Sequence, residues 1–355
     1  MTSRRTPAAT SPDSGGSPGS PLRSKGVDAS GGAGSRGGRR ALGLDIGGTK
    51  LLGVVADAGG GILAERGLPT LRDEGPEAVL GRCVELARGL LDEAKAKAEP
   101  VCAVGVGYAG LVDPAAGVVR SSVILPGWDD VPLAARLGDA LGLPCALDND
   151  ATTAGLGEFH ALGAPADLDL VLLTVGTGIG GAIFTGGRLQ RGASGLAGEV
   201  GHMVVDRDGD LCECGQRGCL HTVASGTALT RLAVERSRER ADSPLHALER
   251  PTLRDVGDAC RASDPLAREL VEQGARALGA GVANIAQLLN PGQVSVCGGV
   301  LGLGDVYLAA LRDEVRRRVF PEVADALAVV PARHGNRSGA FGAACLALEA
   351  YPDAS

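Results

Sequence analysis

Four stretches of the chain gather residue types that do chemistry. Asp45-Ile46-Gly47-Gly48-Thr49-Lys50 joins a carboxylate, two glycines, a hydroxyl and a lysine. Glycines let backbone N–H groups close on phosphate oxygens, the hydroxyl can donate to them, and Asp45 suits a hydrated Mg²⁺. Gly176-Thr177-Gly178-Ile179-Gly180 repeats that chemistry without a lysine. Taken singly, either is also an ordinary hairpin turn. Neither is a P-loop, because Gly-x4-Gly-Lys-Ser/Thr is absent. Two such turns facing one cleft would clamp a nucleotide polyphosphate. In Asp148-Asn149-Asp150, ahead of a helical stretch, Asn149 or Asp150 can cap the helix, and one carboxylate can act as a general base on an attacking hydroxyl. The two roles are compatible if Asn149 and Asp150 divide them. Finally, Glu199-Val200-Gly201-His202 precedes Cys212, Cys214 and Cys219. One imidazole and three thiols make the donor set of a closed structural zinc site. The alternative is three buried thiols near an unrelated histidine. The polar, glycine-rich loop that carries the cysteines argues against it.

These residues need elements to hold them. Residues 41–46 and 51–56 read as strands joined by the first glycine turn, and 168–175 and 181–185 as strands around the second. Residues 76–98 have helical periodicity, with Val79, Val84, Leu86, Leu90 and Leu91 on one face. Strands are expected at 101–108, 144–147, 291–297 and 329–332. Helices are expected at 150–162, across 227–289, near 305–319 and at 338–350. One strand–turn–strand unit in each half predicts a duplicated α/β fold of two lobes facing a cleft. The boundaries read as 41–149 for the first lobe, completed by the last helix at 338–350, and 150–337 for the second, with the zinc loop at 199–221.

Composition narrows the functional classes. The 355 residues carry a formal net charge of −7. Residues 1–40 hold seven Lys/Arg against Asp13 and Asp28, so the remainder sums to −12. A globular part that acidic is a poor nucleic-acid binder. Residues 1–40 also contain nine Gly, eight Ser and four Pro, a disordered composition with too few apolar residues for a DNA-binding helical domain. No apolar run is long enough to span a membrane and no secretory stretch opens the chain, so a cytoplasmic protein is expected. Cys83, Cys102, Cys145, Cys260, Cys297 and Cys345 lie in apolar surroundings and read as small buried hydrophobes. Aromatic residues, at 2%, are too few to stack nucleic-acid bases.

In their order, Asp45–Lys50, Asn149-Asp150 with Glu158 in the next helix, Gly176–Gly181, Glu199-x-Gly-His202 and Cys212–Cys219 resemble the ROK family of sugar kinases and sugar-responsive repressors. The resemblance spans residues 41–350. It implies the two-lobed actin-like ATPase (ribonuclease H-like) fold, with ATP, Mg²⁺ and Zn²⁺ as cofactors. It makes Asp45, Gly47, Gly48, Thr49 and Lys50 the first phosphate motif and Gly176, Thr177, Gly178 and Gly180 the second. Gly298-Gly299 is similar to the adenosine motif. Asp150 matches the catalytic base; Asn149, Gly110, Glu199 and His202 match sugar-binding positions. His202, Cys212, Cys214 and Cys219 match the zinc ligands.

Two departures stand out. His221 occupies the position where the family usually has a sugar-binding glutamate, which replaces an acceptor-only carboxylate with an imidazole. Ile124 stands where an asparagine is common. Family repressors carry a winged helix of roughly 80 residues before the first phosphate motif, a usual size for a small domain. The 40 residues here favour a kinase acting on a hexose or hexose derivative, with a non-catalytic sugar sensor as the alternative. The resemblance also implies a homodimer or homotetramer.

Overall fold

The computed structural model describes residues 38–354, apart from Ala98. The expected disordered tail lies outside the described residues except for its last three. Of these, Arg40 already begins the first strand, and the Arg39 guanidinium donates to the carbonyls of Leu348 and Tyr351.

Strand β1 (Arg40–Ile46) alternates its side chains between two faces, as a period of two requires. Leu42, Leu44 and Ile46 enter one core cluster, whereas Ala41 enters another and Asp45 shares its face. The chain turns through Gly47, whose N–H donates to the Lys50 carbonyl at 3.1 Å, into antiparallel β2 (Lys50–Asp57). Antiparallel β3 (Ile62–Pro69) forms the sheet edge. Helix α1 (Pro76–Ala96) starts on a proline and buries Val79, Leu86 and Leu90 against the Leu42 face. Next come β4 (Ala103–Tyr108), parallel to β1, and a small hairpin of β5 (Leu111–Asp113) and β6 (Val118–Ser121). Helix α2 (Leu133–Leu141) then leads to β7 (Cys145–Asn149), parallel to β4. The sheet order is β3-β2-β1-β4-β7.

Helix α3 (Asp150–Ala161) follows β7 without a connecting loop. The second sheet begins with the hairpin β8 (Leu170–Val175) and β9 (Ile179–Thr185), extended by β10 (Arg188–Leu189). Four helices come next: α4 (Leu220–Ala224), α5 (Gly226–Ser237), α6 (Leu253–Arg261) and the 25-residue α7 (Pro265–Leu289). Strand β11 (Gln293–Cys297) is parallel to β8. After α8 (Asp305–Arg318) and α9 (Pro321–Ala326), β12 (Ala328–Pro331) is parallel to β11. The order β10-β9-β8-β11-β12 repeats the first sheet strand for strand. The duplication expected from the two glycine turns is present as two mixed sheets of one topology.

The last helix, α10 (Ser338–Ala350), packs on β1, β4 and α3. A Cβ on Gly43 would collide with the Ala340 carbonyl, and one on Gly105 with that of Ala343. Only glycine allows the helix so close to the strands. Strands β3 and β10, the β5–β6 hairpin and α2 were not among the elements expected from sequence. Cys83, Cys102, Cys260, Cys297 and Cys345 are buried, whereas Cys145 is only partly so. Among the described residues, no helix is long and apolar enough to cross a membrane.

Candidate active site

The site is built where the strand ends of both sheets meet the helices that follow them. Asn149 ends β7 and caps α3: its Oδ1 accepts the N–H groups of Ala151 at 2.9 Å and Thr152 at 3.2 Å. Its Nδ2 donates to the Gly110 carbonyl at 3.2 Å. The cap fills both lone pairs of the amide oxygen and Gly110 takes one N–H, so the one remaining amide proton lies on the side of the Asp150 carboxylate, whose ionised form it favours. Asp150, the first residue of α3, is thereby fixed at a helix N-terminus.

Two carboxylates at this place are strongly perturbed. Burial first, and the Glu199 charge less so, raise the Asp150 pKa to about 6, against the backbone N–H of Ala151, which lowers it. Burial and then the Asp150 charge raise Asp45 to about 7, with Lys50 opposing. Paired carboxylates with raised pKa values in one opening are the usual mark of a functional site. Asp45 also lies against the start of α10, where a Cβ on Gly339 would approach its Oδ2 to 2.7 Å.

The first glycine turn is lined on one side by the 122–125 loop. A Cβ on Gly48 would strike Ile124 Cγ2, and Arg72 Nη1, 3.8 Å from that same position, donates to the Ile124 carbonyl at 3.2 Å. Ile124 thus packs on the turn. In the second turn, the Gly176 N–H donates to the Gly178 carbonyl at 2.9 Å. The start of α5 is pinned to it: the Gly226 N–H donates to the Gly176 carbonyl at 2.7 Å and Thr227 Oγ1 to the Thr177 carbonyl at 2.8 Å. Gly180 N–H donates to Thr174 Oγ1 at 3.2 Å. Gly298 has φ +101°, and any Cβ there would run into the Val175 carbonyl, so the Gly298-Gly299 turn sits directly against the end of β8.

Glu199 precedes and His202 ends a single turn of 3₁₀ helix, with His202 Nε2 4.0 Å from Glu199 Oε2. The other ring nitrogen, Nδ1, faces Cys212 Sγ at 3.6 Å, and Cys214 Sγ lies 3.6 Å from Cys219 Sγ. All four donor atoms lie within 4.8 Å of one another. A tetrahedral ion with bonds of about 2.3 Å to sulfur and about 2.0 Å to nitrogen separates its ligands by roughly 3.5–3.8 Å. The His202–Cys212 and Cys214–Cys219 separations have that value, while the four donors as a group spread over up to 4.8 Å. The Gln216 N–H lowers the pKa of Cys214, whereas burial raises that of Cys219, so the metal-free thiols do not share one tendency toward the thiolate.

His221, the second residue of α4, is half-buried. Its ring lies nearly parallel to that of His202, centroids 6.2 Å apart, and a Cβ on Gly178 would be 3.1 Å from His221 Cε1. It therefore stands between the Glu199–His202 segment and the second glycine turn. Burial holds its pKa below the usual histidine value.

Residues 41–350 match the ROK family. The chain belongs to the ROK family. It is 34% identical to a glucokinase of Halalkalibacterium halodurans over 308 residues, 85% of this chain and 92% of that protein. It is 33% identical to an N-acetylmannosamine kinase of Citrobacter koseri over 306 residues, 86% and 98% of the two chains. A ROK glucokinase of Streptomyces griseus, solved with glucose and AMPPNP, superposes with a TM-score of 0.75 at 33% identity, covering 87% of this chain and 99% of that one. The α/β fold with two mixed sheets is that of ROK sugar kinases.

Three sets of contacts at this ROK site escaped sequence reasoning, although Glu158 itself carries part of the resemblance. Arg191 forms a fork on the buried Asp148, at 2.6 and 3.2 Å. Glu158, fully buried in α3, accepts from Ser295 Oγ and from the Arg333 N–H, both at 2.8 Å. Arg72 flanks the first glycine turn. Each partner is remote in sequence, and no local spacing marks the pairs.

Proposed function

We propose that this chain is an ATP-dependent kinase that transfers the γ-phosphoryl group to a hydroxyl of a hexose or hexose derivative. The observation that carries this reading is Asp150. It has the pKa of a general base working near neutrality and lies at a helix start directly after Asn149, within electrostatic reach of Glu199 and of Asp45 in the first glycine turn.

Asp150 takes the proton of the attacking hydroxyl, while Glu199, the remaining amide proton of Asn149 and His202 Nε2 bind neighbouring hydroxyls. Phosphoryl transfer asks mostly for positioning and charge stabilisation. The backbone N–H groups of the two glycine turns, Thr49, Thr177 and Lys50 supply these to the polyphosphate, and Gly298-Gly299 lets the nucleoside approach the end of β8. Asp45 would hold Mg²⁺, which would supply neutralisation of the phosphate charge. His202, Cys212, Cys214 and Cys219 would hold Zn²⁺ in a structural role, fixing a loop with little apolar material of its own and orienting His202 Nε2 toward Glu199.

His221 supports a second reading, a sugar-binding sensor without catalysis, because an imidazole replaces the expected carboxylate beside the sugar. A coupled ADP-release assay separates the two. Glucose, mannose, fructose, allose, N-acetylglucosamine and N-acetylmannosamine are supplied with ATP, with Asp150→Asn as the blank. The kinase releases ADP with at least one sugar, above that blank. A sensor binds sugar and releases none.

A further inference from the structure

Arg191 lies in the segment between β10 and Glu199 and reaches across to the end of β7. Its Nη2 is 2.6 Å from Asp148 Oδ2 and its Nη1 3.2 Å from Oδ1. The Asp148 side chain is 2% exposed, that of Arg191 43%. Among the described residues, Arg191 is the only cation within 4.0 Å of this carboxylate. Asp148 Oδ1 also accepts the Asn149 N–H at 2.9 Å, so the fork holds the backbone of the residue that caps α3 and precedes Asp150.

The other end of the Arg191 segment is fixed as well. The Arg191 carbonyl accepts the Ala197 N–H at 3.1 Å, closing the loop that leads to Glu199. At its end Gly198 has φ +100°, and a Cβ there would strike the Gly181 carbonyl on β9. One arginine therefore ties the strand end that carries Asn149-Asp150 to the loop that carries Glu199. The two halves of the sugar site come from different sheets, and this pair is a direct bond between the strand end and the loop.

We propose that Arg191 is a positioning residue which, through its fork on buried Asp148, sets the span between Asp150 and Glu199 across the sugar. The proposal deepens the kinase reading and rests on it for the identity of the ligand. Without the guanidinium, Asp148 is a buried charge with no partner, and it turns toward water. The Asn149 N–H then loses its acceptor, and Asp150 shifts with the strand end. A misplacement of about 1 Å can cost a reaction roughly 10²-fold. Lysine would restore the charge but not the fork.

The test uses the full chain and four variants: Arg191→Gln, Arg191→Lys, Asp148→Asn and the double variant Arg191→Gln/Asp148→Asn. Glucose and N-acetylmannosamine are titrated calorimetrically, and the best sugar of the panel is assayed for turnover. Arg191→Gln is expected to weaken sugar binding about tenfold or more and lower kcat about 10²-fold, with the KM for ATP within about twofold of wild type. Arg191→Lys should fall between Arg191→Gln and wild type. The double variant should be no worse than the poorer single, because it leaves no unpaired buried charge. Should Arg191→Gln fail to fold, Arg191→Lys and the double variant still decide the matter. Wild-type sugar affinity and kcat in a folded Arg191→Gln protein overturn the proposal. So do equal losses toward sugar and ATP, or additive losses in the double variant. A wild-type chain that binds sugar but releases no ADP refutes the kinase reading instead, and the calorimetric arm then still tests the positioning role.

Discussion

The elevated pKa of Asp150 makes a quantitative demand on the pH profile. A base with a pKa of about 6 is half ionised at pH 6, and only about one-tenth ionised at pH 5. An ordinary aspartate would be almost fully ionised at both. With saturating MgATP and the sugar varied, kcat/KM should therefore fall about tenfold between pH 7.5 and pH 5. Asp45 titrates with Asp150 as a neighbouring carboxylate, so the limb belongs formally to the pair. Saturation with MgATP holds Asp45 ionised and leaves the limb mainly to Asp150. Asp150→Asn should lower kcat by about 10²–10⁴-fold and leave no such limb. Glu199→Gln gives a finer test, because the Glu199 charge is one of the causes that raise Asp150. Its removal should move the acid limb to lower pH, but only part of the way to 3.8, since burial is the larger cause. The titration of the nucleotide is common to both proteins and cancels in the comparison. A wild-type profile that is flat down to pH 5, or an acid limb that rises in Glu199→Gln, would refute the assignment.

Other substitutions probe the remaining groups. Asp45 has a folded-state pKa above its unfolded value, so the folded chain keeps a proton that the unfolded chain has released. Stability present at low pH is therefore lost as pH rises toward about 7. At pH 8, without ligands, Asp45→Asn should melt roughly a few °C above wild type and should not turn over sugar; a lower midpoint would contradict the sign. Elemental analysis of the purified chain should find one zinc per chain, and Cys214→Ser should reduce both zinc content and thermal midpoint. A fully active, zinc-free preparation would remove zinc from the account. With His221 beside the sugar, glucose should be a poor substrate relative to another hexose or derivative. His221→Glu should then shift the kcat/KM ratio toward glucose or N-acetylhexosamines, because a polar site discriminates against ligands that leave its groups unpaired. An unchanged ranking would mean that His221 does not read the sugar.

What could be read from sequence was chemistry held in short segments. Each glycine turn carries its donors within six residues, and the strands on either side are apolar and buried, so turn and hairpin were legible together. The Cys-x-Cys-x4-Cys spacing marked a donor cluster for the same reason, and its three thiols do converge with His202. Strand β3 was not legible: it is an edge strand, and its Glu65-Arg66-Gly67 stretch breaks any apolar alternation. Asn149 was recognised as a capping candidate, yet only the coordinates reveal that the cap consumes its acceptor and that Gly110 takes one of its protons. Arg191 and Asp148 are 43 residues apart, and Glu158 and Ser295 are 137 apart. Pairs of that kind arise from the meeting of two sheets, and no local pattern foretells them.

The central claim is phosphoryl transfer to a sugar, and the most direct measurement is of the product itself. Phosphorus NMR should follow the purified chain with MgATP and each sugar of the panel in turn. A sugar phosphate resonance should grow as the γ-phosphate signal declines, with at least one hexose or hexose derivative and not with Asp150→Asn. Sugar binding in calorimetry with no phosphate ester from any sugar would contradict the account and leave the chain a sensor.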